Sequence, residues 1–101
     1  MVETADNDVK DGVLVLPSRM DTQMAEDLLK TLLERRAADL TLDISAVEML
    51  GARCLEVLLN ARHTWASANK TLSLSGSSEA LSENLKRYGL KTSDLETGVT
   101  P

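Results

Sequence analysis

Two hydrophobic periods alternate along this chain. Leu40, Leu42 and Ile44 stand at period two, the spacing that puts side chains on one face of a strand. From Leu55 the spacing becomes helical, through Leu58 and Leu59. Between them, the chain runs through Ala46 to Leu50 into Gly51, Ala52 and Arg53 as a short surface turn and then the start of a helix. The turn at Glu48 to Arg53 lies at the carboxyl end of a strand and the amino end of a helix. Open α/β sheets tend to hold their binding chemistry there. The rest of the chain reads as scaffold around it.

The same two periods account for the remaining elements. Gly12 to Leu16 is an apolar, β-branched run stopped by Pro17, and predicts a buried strand. Ser18 to Asp21 forms a loop, with Asp21 or Thr22 available as a helix N-cap. Met24, Ala25, Leu28, Leu29, Leu32 and Leu33 then predict an amphipathic helix of about four turns ending near Ala38. A second helix runs from about Ala52 to Asn69, with Leu55, Leu58, Leu59, Arg62, Trp65 and Ala66 on one face, broadened by Val57 and Ala61. Thr71 to Ser75 alternates polar and apolar as a strand. Gly76-Ser77-Ser78 caps a third helix carrying Leu81, Leu85 and Tyr88. Gly89 fits the C′ position of a Schellman ending, with Leu90 set to touch Leu85.

The ends are polar. Residues 1–11 are either a frayed terminus or a weak edge strand around Thr4 to Val9, and the first seven are read as flexible. Residues 93–101 are read as a tail, with a short helix around Ser93 to Thr97 as the alternative, which leaves one domain at 8–92. Strands alternating with helices imply β-α-β units. The predicted class is therefore α/β: a single domain with a mixed, mostly parallel sheet of about four strands and its helices packed on one side.

Composition narrows the function classes. With one Trp, one Tyr and no Phe, the core must be built from Leu, Val, Ile, Met and Ala. A net charge of −5 argues against nucleic acid or an anionic membrane as partner, because both need clustered Lys and Arg. No apolar run approaches the roughly 20 residues of a membrane span. The acidic start, Met1 to Asp6, is the opposite of a signal peptide. A single cysteine forms no internal disulfide, which makes the cytoplasm the simplest compartment.

At this point the chain resembles the STAS family, that of bacterial anti-anti-sigma factors and of the cytoplasmic domains of sulfate-type transporters. Four motifs carry the resemblance, in order, over roughly residues 8 to 92. The family's Leu-x-Gly-x-Leu-Asp is matched by Leu16-Pro17-Ser18-Arg19-Met20-Asp21, and its Leu-Asp-Leu-Ser by Leu42-Asp43-Ile44-Ser45. Its Val-x-Phe-Met-Asp-Ser-Ser-Gly-Leu is matched by Val47-Glu48-Met49-Leu50-Gly51-Ala52-Arg53-Cys54-Leu55. Its Leu-x-x-x-Gly-Leu is matched by Leu85 to Leu90.

The resemblance implies a non-catalytic module that binds a protein partner through Ser18, Arg19, Asp21, Met49, Gly51, Ala52, Arg53, Cys54 and Glu56. Family partners are histidine-kinase-like anti-sigma factors and related signalling ATPases. A second implied role is a subunit supporting an ABC-type lipid or anion transporter. In the family a kinase phosphorylates the second serine of the Asp-Ser-Ser-Gly turn, and that position aligns with Arg53. No Ser or Thr lies between Ala46 and Arg62, so a register slip of one residue restores no acceptor. A switchable double negative charge has become a fixed positive one. No cofactor and no metal are implied.

Individual residues divide between two readings. Arg53 is either an anion-recognising contact or a solvated arginine, and at a helix start it opposes the dipole slightly. Cys54 is either a thiolate nucleophile or a small buried apolar residue. The nucleophile needs a base, and His63, the sole histidine, lies more than two helical turns away. Asp21 and Asp43 read as caps, Ser73, Ser75, Ser77 and Ser78 as turn chemistry, and Trp65 as core or subunit contact. A homodimer is possible through a helix face around Trp65 or through the N-terminal edge strand.

Overall fold

Period-two spacing becomes sheet register. In the computed structural model, which describes residues 9–10 and 12–97, six strands and three helices follow one another. They are β1 (Val9–Lys10), β2 (Val13–Val15), β3 (Arg19–Met20), α1 (Thr22–Glu34), β4 (Leu40–Asp43), β5 (Met49–Leu50), α2 (Ala52–Ser67), β6 (Leu72–Ser75) and α3 (Glu79–Arg87). A 3-10 turn, Thr92–Leu95, closes the order. The main sheet runs β1-β2-β4-β6, with β1 antiparallel to β2 and the other pairs parallel. The second sheet is the parallel pair β3-β5.

Register sorts the side chains. Leu14 aligns with Leu42 and Leu42 with Leu74, while Leu40 aligns with Leu72. This row faces the helices and shares one core with Leu28, Leu32, Leu55, Leu58 and Trp65. The other face stays open. Val15 is 46 % exposed, and Thr41 and Ser73 hydrogen-bond across it at 3.1 Å. One covered face and one open face give a single layer of helices, as the one-striped helices predicted.

The helix ends follow their local chemistry. Asp21, not Thr22, caps α1, its carboxylate accepting from Met24 N at 3.1 Å. Ser78 caps α3 by accepting from Leu81 N at 3.0 Å. Gly89, at φ +76°, closes α3 as a Schellman motif, with Leu90 N donating to Leu85 O at 2.9 Å. Asn69 closes α2 in the same way at φ 59°, with Lys70 N donating to Trp65 O at 2.9 Å.

Three expectations are corrected. The first helix ends at Glu34 rather than near Ala38, because its apolar period stops at Leu33 and Ala38 instead gives its carbonyl to Trp65 Nε1 at 2.9 Å. Trp65 is 1 % exposed, so its ring is core rather than a subunit contact; the buried stripe of α2 is Cys54, Leu55, Leu58, Ala61 and Trp65, and Arg62 and Ala66 are exposed. The domain also does not stop at 92. Leu95 is 1 % exposed, and Arg62 Nε donates to Glu96 O at 2.7 Å. Thr97 N donates to Leu72 O at 2.8 Å, while Leu72 N donates to Thr97 Oγ1 at 2.8 Å and Leu74 N to Glu96 Oε2 at 2.9 Å. These bonds cover the outer edge of β6. The proposed flexible residues 1–7, the Thr4 to Asp8 part of the edge strand, and residues 98–101 lie outside the described residues.

Candidate functional site

The small sheet builds the site. Arg19 aligns with Met49 and Met20 with Leu50, and each strand runs directly into a helix. Ser18 O accepts from Glu48 N at 2.8 Å and from Met49 N at 3.0 Å, and Met20 O accepts from Gly51 N at 2.8 Å. Inward-facing Met20 and Leu50, 0 % and 2 % exposed, anchor the pair in the core. The amino ends of α1 and α2 therefore stand side by side, at the carboxyl ends of the main parallel strands.

Gly51 N-caps α2 without a side chain, and its backbone explains the choice. A Cβ there would sit 3.2 Å from Met20 O, inside ordinary van der Waals contact. Asp21 serves both helices. Its carboxylate caps α1, and its carbonyl accepts from Cys54 Sγ at 3.3 Å.

Of the nine residues predicted to meet a partner, eight reach the surface at this corner. Ser18, Arg19, Ala52, Arg53 and Glu56 are exposed, and Asp21, Met49 and Gly51 are half-buried. Cys54 is the correction: it is 0 % exposed and lies beneath the surface, unable to touch a partner. Burial, assisted by the negative charge of Asp21, raises its thiol pKa above the ordinary value. A protonated thiol is the wrong form for a nucleophile. His63 stands exposed on α2.

Arg53 occupies the first turn of α2, 70 % exposed at its side chain, with Nη1 3.6 Å from Glu56 Oε1. A pair so open to water holds neither side chain firmly. Beside it a groove of about 280 Å³ runs between α1 and α2, lined by Thr22, Gln23, Glu26, Leu29, Arg53 and Val57.

A second cluster lies at the ends of β4 and β6. Asp43 Oδ1 accepts from Ser45 Oγ at 2.6 Å and from Ser45 N at 3.0 Å, and these bonds hold its carboxyl below the usual pKa. Ser73 pairs with Thr41, and Ser78 Oγ donates to Val47 O at 2.5 Å. Turn and strand chemistry uses these polar groups, as their positions predicted. Sequence reasoning missed the β3-β5 ladder, whose only trace was the isolated apolar residues Met20 and Leu50.

A family model described as Mlab, STAS domain, matches residues 3–97. The chain belongs to the STAS domain family. No curated protein matches it. STAS domains are generally binding modules rather than catalysts. Among the described residues, no helix of this STAS domain is long and apolar enough to cross a membrane, and no group of three metal-ligating side chains forms.

Proposed function

We propose that this STAS domain is a constitutive protein-docking module, whose contact surface is the corner formed by Ser18 to Asp21, Met49 to Arg53 and Glu56. The observation that carries the reading is Arg53, a fixed and exposed positive charge in the first turn of α2 where the family pattern places its phosphorylated serine. A guanidinium offers no hydroxyl to a kinase, and its planar fork recognises carboxylates and phosphates instead. Binding at this corner is then set by the amount of partner present rather than by a kinase.

The partner in the first form of this reading is a histidine-kinase-like anti-sigma factor or a related signalling ATPase. One feature favours a second form, a subunit supporting an ABC-type lipid or anion transporter. An antagonist that must be released needs a switch, whereas a resident subunit does not, and no Ser or Thr stands between Ala46 and Arg62.

Affinity capture from the native host, wild type against Arg53→Asp, separates the possibilities. A kinase-like ATPase captured by wild type and lost in the variant supports the antagonist. Transporter subunits captured and lost in the same way support the second form. A partner held at full strength by Arg53→Asp overturns the docking corner.

A further inference from the structure

The segment that follows α3 is fastened differently from the rest of the fold. Leu90 still belongs to the body of the domain, packing on the core while its N–H donates to Leu85 O. Beyond it, residues 91–97 lie against α2, β6 and α3 without entering the sheet. Among them only Leu95 is buried. Lys91 N donates to Asp94 Oδ2 at 2.9 Å and Asp94 N to Lys91 O at 2.9 Å, so the turn is closed by bonds of its own.

What ties it to the body is that one apolar side chain and a group of polar bonds at its far end. Leu72 N donates to Thr97 Oγ1, Thr97 N to Leu72 O, Leu74 N to Glu96 Oε2 and Arg62 Nε to Glu96 O. Both bonds given by β6 end on side chains rather than on a backbone ladder, and Arg62 reaches across from an exposed position on α2. Local opening needs least free energy where buried apolar contacts are few and hydrogen bonds lie near solvent. Residues 91–97 meet both conditions. The central strand meets neither, with Leu42 at 0 % exposure.

We infer that residues 91–97 are a latch, which opens and closes as one unit while the rest of the domain stays folded. Closed, it covers the outer edge of β6 and seats Leu95 between α2, β6 and α3. Open, it frees Leu72 N and Leu74 N together. Arg62 is the catch: it touches neither amide, yet its 2.7 Å bond to Glu96 O ties the latch to α2. The latch sets how often this side of the domain is reachable, and its motion is separate from whatever Arg53 binds.

Native-state hydrogen exchange of the full chain, read by NMR at single amides, tests it. After correction for intrinsic rates, the Leu72 and Leu74 amides are expected to share one opening and to exchange at least about tenfold faster than Leu42. In low urea their rates should stay almost flat while that of Leu42 climbs, because the latch exposes little surface on opening. Arg62→Met keeps the stem but removes the donor, and is expected to speed both amides by the same factor, about fivefold. Thr97→Val removes the acceptor of Leu72 alone, yet Leu74 should quicken with it. Far-UV dichroism confirms that each variant folds. Leu72 and Leu74 exchanging with the rate and urea slope of Leu42, a Thr97→Val that quickens only Leu72, or an Arg62→Met that moves neither amide overturns the latch.

Discussion

Cys54 Sγ donates to the backbone carbonyl of Asp21 at 3.3 Å, tying the first turn of α2 to the residue that caps α1. The thiol thus acts as a clasp between two helix starts. Alkylation of the native protein at pH 7 is expected to run far slower than that of a free thiol, and to reach the free rate only in denaturant. Because burial raises its pKa, the folded state keeps this proton where the unfolded state loses it. The contribution is complete below the ordinary thiol pKa of 9.0 and is lost as pH rises through the higher folded one. Denaturant midpoints measured from pH 7 to 10 should fall more steeply in wild type than in Cys54→Ala.

Gly76 and Gly89 share a positive φ, at +77° and +76°, but not the same surroundings. A Cβ on Gly76 would collide with Ser45 Oγ, whereas one on Gly89 meets nothing within 4 Å. Gly89→Ala should cost about 1 kcal/mol from backbone conformation alone. Gly76→Ala should cost roughly twice that or more, since Ser45 must also leave Asp43. Chemical denaturation should show the order, and Ser45→Ala should partly relieve Gly76→Ala.

Asp43 has a depressed carboxyl pKa through its two bonds from Ser45. Its contribution is present above the unfolded value of 3.8 and is lost as pH falls through the lower folded one. Midpoints measured between pH 2 and 5 should therefore depend less on pH in Asp43→Asn than in wild type.

Leu95 is 1 % exposed in a stretch whose neighbours are polar. Leu95→Ala should cost about 2–5 kcal/mol, as for a buried leucine. A change of a few tenths would return residues 93–97 to the status of a tail.

Legibility followed the length of the pattern. Leu40, Leu42 and Ile44 repeat often enough to declare a strand, and all three are buried. Gly89 declared a helix end because its missing side chain had one conformational use there. Met20 and Leu50 gave no period, because each stands in a strand of two residues whose pairing depends on a partner distant in the chain. Leu95 failed for the same reason, as a single apolar residue carries no spacing. The motifs named the residues that meet at the corner proposed for docking, but Cys54 was placed with the surface residues. Its burial comes from packing in the common core, where its Sγ meets the Asp21 carbonyl from 33 positions away.

The strap formed by Glu96 and Thr97 has a consequence for solubility. Leu72 N and Leu74 N donate outward to side-chain oxygens of this segment, so the donors that a foreign strand would pair with are already occupied. Cut after Leu95, the same sheet would present β6 as a bare template, and neighbouring molecules could add strand upon strand toward fibrils. Glu96 and Thr97 thus shield the β6 edge from strand addition.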